Sequence, residues 1–469
     1  MKKIFLMSAI SLLLLLSLIF GLLACGNGKA STQTSENGLE KGDQSTASSN
    51  KNETSQTTIP SSDKEKDNKD TPLPTPIKAE NLMDGYTVGN IIGLSPDESF
   101  ASNEWRLAWE LFKNSKEASK TDNVLISPLS IQLALAMTLN GADGQTREEM
   151  LTLLGGEYSL ETLNEYLRFY VNHLPNSEKN KLQIANSIWF KETDFVPNSD
   201  FLQTNKTYYD ADIYKAPFDQ STAEDINNWA NQKTDGMIKK VVDKIDESTI
   251  MYLINAIMFD GEWAIKYGDK SVKDGYFTTE NGEKQNVKMM GSTEHCYYET
   301  ANGVGFKKDF INYKYSFVAL LPNEGVGVDE YIASLTYEEI MGALNNPDIT
   351  KTVLAQMPKF SYEFTFEMSD VLKSLGMEKA FDKDTAEFGK IGEAGGNIFI
   401  ENVLHKTYIT VDQAGTRAGA VTSVSLPAGS APGEPEIVRI TLDRPFVYMI
   451  IDNETNIPIF IGTLDSVNG

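Results

Sequence analysis

Apolar positions along the chain fall into two rhythms. Trp105, Ala108, Trp109 and Phe112 recur at i, i+3, i+4 and i+7, the stripe of an amphipathic helix, and Leu163, Tyr166, Leu167, Tyr170 and Val171 repeat it. Ile131 to Leu139 is apolar on every side, which predicts a helix buried all round. Short apolar runs at 182–190, 252–259, 317–321, 352–357 and 398–411 predict strands. Two more, Phe446–Ile451 and Ile457–Gly462, flank Asp452-Asn-Glu-Thr-Asn456 and predict a hairpin-like pair. Helices first and large strands later predict an α+β fold around mixed sheets. The regular pattern begins after about Leu94, and no second linker or internal repeat divides it.

The N-terminus follows neither rhythm. Lys2 and Lys3 precede an uncharged, Leu- and Ile-rich run from Ile4 to Gly28. A secretory signal has this shape, with an uncleaved spanning anchor as the rival reading. Leu22-Leu23-Ala24-Cys25 resembles a bacterial lipobox, which implies removal of residues 1–24 and a lipid on the Cys25 thiol. The expectation is an exported protein on the outer face of a bacterial cell membrane, touching the membrane only through that lipid. Residues 25–80 are dominated by Ser, Thr, Asn and charged side chains and predict a disordered tether ahead of a folded domain at 81–469.

Composition narrows the chemistry. The 469 residues carry 42 Lys+Arg against 66 Asp+Glu, a formal charge of −24, which argues against nucleic acid as a partner. Two cysteines supply no disulfide framework, and Cys296 is expected as a buried or half-buried free thiol. Three histidines (His173, His295, His405) leave little from which to build a metal centre, and no metal or cofactor is expected. The chain has no Gly-x-Ser-x-Gly elbow, His-Glu-x-x-His or Gly-rich phosphate loop, so no catalytic residue is assigned and an enzyme is not expected.

One stretch departs from core-building sequence. Gly415-Thr416-Arg417-Ala418-Gly419-Ala420-Val421-Thr422 is small and β-compatible, and follows a predicted strand directly. It continues into Ser425-Leu-Pro-Ala-Gly-Ser-Ala-Pro-Gly-Glu-Pro-Glu436, which has three prolines and no large anchor. Long loops without structure of their own are uncommon in compact domains and usually functional. A strand-like half joined to such a segment could join a sheet later, because small side chains at alternate positions would not prise apart the face beneath.

With these residues the chain resembles the serpins, over roughly Ser99 to Leu464. Asn123-Val-Leu-Ile-Ser-Pro-Leu-Ser-Ile131 and Asn140-Gly-Ala-Asp-Gly-Gln-Thr-Arg-Glu149 are similar to the family's second helix and the turn after it. Ile226-Asn-Asn-Trp229 with Thr234-Asp-Gly-Met-Ile238 resembles its F-helix connection. Leu253-Ile-Asn-Ala-Ile-Met-Phe-Asp-Gly-Glu-Trp263 resembles the central strand that ends in the breach tryptophan. His405-Lys406 before the hinge and Asp443-Arg-Pro-Phe446 before the last strands complete the order.

The resemblance implies a monomeric suicide-substrate inhibitor of serine, alternatively cysteine, endopeptidases. Cleavage of a reactive-centre loop would let its hinge half insert into the central sheet. It implies a hinge of Gln413, Gly415, Thr416, Ala418, Gly419 and Ala420, with Thr416, Ala418 and Ala420 facing inward on insertion. Gln413 stands where inhibitory members usually have Glu, and Val421 is bulkier than the usual Ala. Counting from the hinge puts the reactive bond at Gly429–Ser430, with Ala428 and Ala431 as nearby alternatives. Counting back from Pro445 gives Glu434–Pro435, so the loop is about five residues longer than the pattern. The small residues around the bond suggest an elastase- or subtilisin-like target. Ser127, Ser130, Asn255 and His405 match the family's shutter, and Trp263 its breach. The rival role is a noninhibitory serpin acting as a cell-surface binding module, whose mark would be a hinge too bulky or charged to insert.

Overall fold

A computed structural model describes residues 75–193, 195–245, 249–416 and 436–468. The expectations for the signal, Cys25 and most of the tether fall outside them, as do those for Ala418, Gly419, Ala420, Ala428, Gly429, Ser430 and Ala431.

The predicted stripes form the helices Phe100–Ala118 and Leu160–His173, whose apolar faces are buried. Pro128–Leu139 is buried at every residue, its Ser130, Gln132 and Thr138 included. The predicted strands appear as Asn180–Lys191, Met251–Gly261, Tyr315–Pro322, Lys351–Pro358 and Asn402–Val411, and the last pair as Phe446–Asp452 and Pro458–Leu464. The strand expected from 398 begins at Asn402 instead; Asn397 amide bonds to Lys383 and Ala386 carbonyls and an Ile400-to-Ala380 bond hold the preceding residues against another segment.

Three main sheets result. The central six-stranded sheet runs, by position, Glu80–Asn81, Asp212–Ala216, Asn180–Lys191, Met251–Gly261, Asn402–Val411 and Phe360–Glu367. A second sheet of six strands is antiparallel throughout, with Tyr315–Pro322, Phe446–Asp452 and Pro458–Leu464 at its middle, every residue of the three buried. The third sheet, of four strands, is ordered Glu436–Thr441, Lys351–Pro358, Lys284–Glu294 and Val272–Thr278. These are the mixed sheets with helices that the α+β expectation required.

The central sheet is covered on both faces, and strand alternation dictates how. Ile188, Ile213, Leu253 and Val403 enter the main core. Trp189, Tyr214, Tyr252 and Ile254 belong to a second cluster with Ile226 and Trp229 of helix Gln220–Lys233.

The fold also shortens the expected tether. Residues 75–80 are part of the domain: the Lys78 and Ala79 N–H groups donate to the Asp225 carboxylate at 3.0 and 2.8 Å, and Glu80–Asn81 pairs with Tyr214 and Lys215. Ile77 and Ala79 pack on the second cluster, too small an apolar signal to stand out in a polar sequence.

Candidate functional site: a seam and a hinge

The strands Met251–Gly261 and Asn402–Val411 are neighbours, yet they pair only from Asn402 opposite Tyr252 to Lys406 opposite Ala256. Beyond Lys406 no ladder joins the two strands among the described residues. The pair is parallel, whereas their outer partners Asn180–Lys191 and Phe360–Glu367 are antiparallel to them. A strand entering between two parallel strands in the opposite direction would make an antiparallel ladder on each side, the slightly more stable pairing.

The hinge begins at the open end. After Val411 the chain reverses: the Asp412 carboxylate accepts the Ala414 and Gly415 N–H groups at 2.7 and 3.2 Å, a local turn typical of Asp. Gly415 then forms an antiparallel bridge with Glu262, just past the end of Met251–Gly261. Thr416 donates its N–H to the Gly261 carbonyl at 2.8 Å, while its hydroxyl accepts the Gly261 N–H at 2.8 Å. Its side chain is buried, at 1 % exposure. Thr416 was expected to turn inward upon insertion; here it already occupies the mouth of the slot. Gly415 is required by close approach, since a Cβ there would lie 1.9 Å from the Gly261 carbonyl oxygen.

Trp263 organises this turn. Its indole N–H donates to the Asp412 carbonyl at 2.8 Å, and its backbone N–H to Ala414 at 3.0 Å. The ring stacks on Phe310 at 4.5 Å and meets the edge of Tyr267 at 6.5 Å. Lys308, buried and paired to Glu294 at 3.0 Å, lies over both Trp263 and Tyr267. A buried cation over aromatic faces is attracted by the rings' negative faces and holds them in place. Gln413 gives its amide oxygen to the Lys359 ammonium, so a neutral acceptor fills the position where Glu was the family expectation.

The closed end of the seam is polar. His405 stands opposite Asn255 across the parallel pair, and its Nδ1 lies 2.6 Å from Asn255 Oδ1. Nε2 accepts the Ser127 N–H at 3.0 Å, which leaves the proton on Nδ1 to donate to Asn255. The Asn255 amide donates to the Ser130 carbonyl at 2.8 Å and also to the Ser130 hydroxyl. Helix Pro128–Leu139 thus fastens both strands from beneath. Burial pushes the His405 imidazole down to about 3, so it is neutral and can accept at one nitrogen while donating at the other. Ser127, in the N-cap position, has a buried hydroxyl without a partner among the described residues. A spare donor beneath a ladder that can part is available to a rearranged backbone.

The structure therefore brings Ser127, Ser130, Asn255 and His405 into one network and Gln413, Gly415, Thr416 and Trp263 into another. Residues that the sequence reading did not single out complete them: Gly261, Tyr267, Glu294, Lys308 and Lys359. Of these only Gly261, inside the quoted Leu253–Trp263 motif, carried any signal.

Comparison with known proteins shows the family. The family model described as Serpin (serine protease inhibitor) matches residues 102–467. The chain belongs to the serpin family. Human Serpin B8 is 31 % identical over 378 residues, covering 76 % of this chain and 97 % of its own. A leukocyte elastase inhibitor from Xenopus laevis is 28 % identical, covering 79 % and 100 % respectively. The crystal structure of tengpin, a thermophilic serpin, in its native state superimposes with a TM-score of 0.79 at 50 % identity, covering 83 % of this chain and 99 % of tengpin. Serpins are mostly protease inhibitors rather than enzymes, with noninhibitory members among them, and this chain has the serpin's mixed sheets and helices.

Proposed function

We propose that this serpin is an inhibitor that traps serine endopeptidases by inserting its cleaved loop into the central sheet. The observation that carries the reading is the antiparallel start of a strand, Gly415–Thr416, seated against Gly261–Glu262 at the unpaired end of a parallel pair. The hinge's first buried side chain is small and its hydroxyl is satisfied, so continued insertion begins without unburying anything. A protease serine oxygen attacks the carbonyl carbon of Gly429; the C–N bond to Ser430 breaks, the amine leaves with a proton, and an ester links the two proteins. Insertion of the acylated half draws the protease away before water hydrolyses that ester. Cysteine endopeptidases would follow the same path through a thioester.

The small residues Ala428, Gly429, Ser430 and Ala431 favour a target with a small apolar primary pocket, elastase- or subtilisin-like. The relative named a leukocyte elastase inhibitor supports that class. The protein acts as a monomer, exported and held by a lipid on Cys25 at the outer face of a bacterial membrane. Support for this placement is the Lys2-Lys3, apolar, Leu22-Leu23-Ala24-Cys25 order. Labelled fatty acid should enter the parent and not Cys25→Ser.

Mixing the protein with elastase-, subtilisin- and cysteine-type proteases and then denaturing decides the function. The expected result is a covalent adduct stable in SDS, plus a released peptide Ser430–Gly469. Nicking without any adduct would instead make this a noninhibitory surface-binding serpin.

A further inference from the structure

We infer that the corner of the four-stranded sheet carrying Ile349 and Ile437 is a second contact for the protease being trapped, and sets which protease is captured fast. The inference rests on the inhibitory reading above.

The corner is an unusual place for bare isoleucines. Strand Glu436–Thr441 is the edge of its sheet and pairs in parallel with Lys351–Pro358, with Ile437 opposite Thr352. Ile349 lies two residues before Lys351, which is opposite Glu436, so both isoleucines stand at the same end of the sheet. Three residues of strand rise put them roughly 10 Å apart along the sheet. Ile349 is 71 % exposed, the most of any large apolar side chain among the described residues, and Ile437 is 61 % exposed. The inward packing of these strands comes from Val353, Ala355 and Ile440, so neither exposed isoleucine serves the core. Exposed branched side chains on an edge strand invite association with other chains, and folds ordinarily replace them with charge.

Chain length says what covers this corner. From Ser430 to Pro435 there are six residues between the reactive bond and Glu436. At about 3.3–3.6 Å per residue they reach no more than about 20 Å. On the hinge side, Arg417 to Gly429 is 13 residues, or about 45 Å when extended. A protease domain of ~230 residues has a radius of gyration of about 17 Å, and a stable contact of ~800 Å² per partner spreads some 16 Å from its centre. A protease bound at the bond therefore has the Ile349–Ile437 corner within its reach, whereas nothing obliges it to touch the hinge. The argument survives the alternative bonds: a cut after Ala428 leaves seven residues, and a cut after Glu434 leaves one.

The chemistry names the partner's surface. On a chain of net charge −24, an apolar contact gives attachment that does not depend on the sign of the partner's charge. The corner is also held firmly: Lys351 sits 4.3 Å from the Tyr297 ring centroid and 3.6 Å from the Asp348 carboxylate, and Asp348 bridges Tyr297 through its backbone. A preset apolar contact loses little freedom on binding. The favoured protease has apolar side chains on the rim of its cleft, on the leaving-group side.

The test uses the full chain and pancreatic elastase as the probe. Ile349→Ser combined with Ile437→Thr should slow second-order association about tenfold, the scale on which interface variants move association rates. The fraction of encounters ending as covalent adduct and the melting temperature should not change. Ile349→Ser alone, outside the strand, should give part of the effect without touching the edge pairing. Ile92→Ser, an exposed apolar site on another segment, should leave the rate as it is. Association within twofold of the parent for both corner variants overturns the inference and leaves the inhibitory reading standing. A parent that forms no adduct with elastase-, subtilisin- or cysteine-type proteases overturns the inhibitory reading, and this inference with it; where subtilisin and not elastase is trapped, the same variants are read with subtilisin.

Discussion

The two six-stranded sheets of this serpin share one chain but are built for opposite purposes. In the sheet centred on Phe446–Asp452, every neighbouring pair is antiparallel and the middle strands are wholly buried. Nothing there can part without exposing apolar surface. In the central sheet the decisive neighbours are parallel, pair over five residues, and are tied by His405, Asn255, Ser127 and Ser130. Polar groups held by neutral hydrogen bonds can exchange one partner for another at a small net cost, because each bond contributes only about 0.5–1.5 kcal/mol. The first sheet is a fixed floor; on the proposed inhibitory reading, the second is a closure that opens.

The largest expected effect is that of cutting the loop. About a dozen inserted residues, at about 0.5–1.5 kcal/mol per hydrogen bond, should together add roughly 10 kcal/mol or more. Unfolding entropy for a domain of this size is about 0.8 kcal/mol per kelvin. Scanning calorimetry of the nicked protein should show melting at least ~10 °C above the intact form; equal melting would remove the difference between the two sheets.

Next comes Thr416→Arg. A charge would have to enter where a small hydroxyl now sits, at a cost of several kcal/mol without a partner, roughly 3 or more. Protease should then cut the variant rather than be trapped, read as loss of the SDS-stable adduct; undiminished trapping would place insertion elsewhere.

A pair of truncations sharpens the contrast. Ile461→Ala, in the fixed sheet, should cost about 2–5 kcal/mol in both intact and nicked forms, since that core is common to them. Asn255→Ala should cost about 1–3 kcal/mol in the intact form and less in the nicked one, because the His405 bond across the seam exists only while the two strands are neighbours. Denaturant melts of both forms measure the two differences.

The smallest effect is a pH slope. His405 is held at about 3 in the folded state, below the ordinary 6.5. The unfolded chain therefore takes up the proton first, and the stability due to neutral His405 is complete above 6.5 and lost as pH falls. Relative to pH 8, about 2 kcal/mol should be gone by pH 5. Glu104, which burial pushes up to about 7, slopes the other way, losing stability as pH rises. Comparing the parent with His405→Asn across this range isolates the His405 part; parallel curves would show that the imidazole is not held neutral.

Much of this was legible in the chain. The run Ile131–Leu139, with only Gln132 and Thr138 polar, read as a buried helix, and Phe446–Ile451 read as one strand of a hairpin-like pair; that it lies at the middle of its sheet was not legible. The hinge was legible as a run of small residues in an unusual place. Strands Val272–Thr278 and Lys284–Glu294 were not, since lysines, two glycines and an aspartate break their alternation, and pairing rather than composition makes them strands. Lys308 and Glu294 gave no hint of their place beneath Trp263, being ordinary charges until the fold buried them together.

The order of apolar runs and small residues settled which elements form and which segment could become a strand, because those are properties of single stretches of chain. Which strands became neighbours, how far they stayed paired, and that Thr416 rests at the mouth of the slot were decided only in three dimensions. Each depends on contacts between residues more than a hundred positions apart, such as His405 with Asn255 and Thr416 with Gly261. No local pattern encodes such a meeting, because its energy arises only when the rest of the fold has brought the partners together.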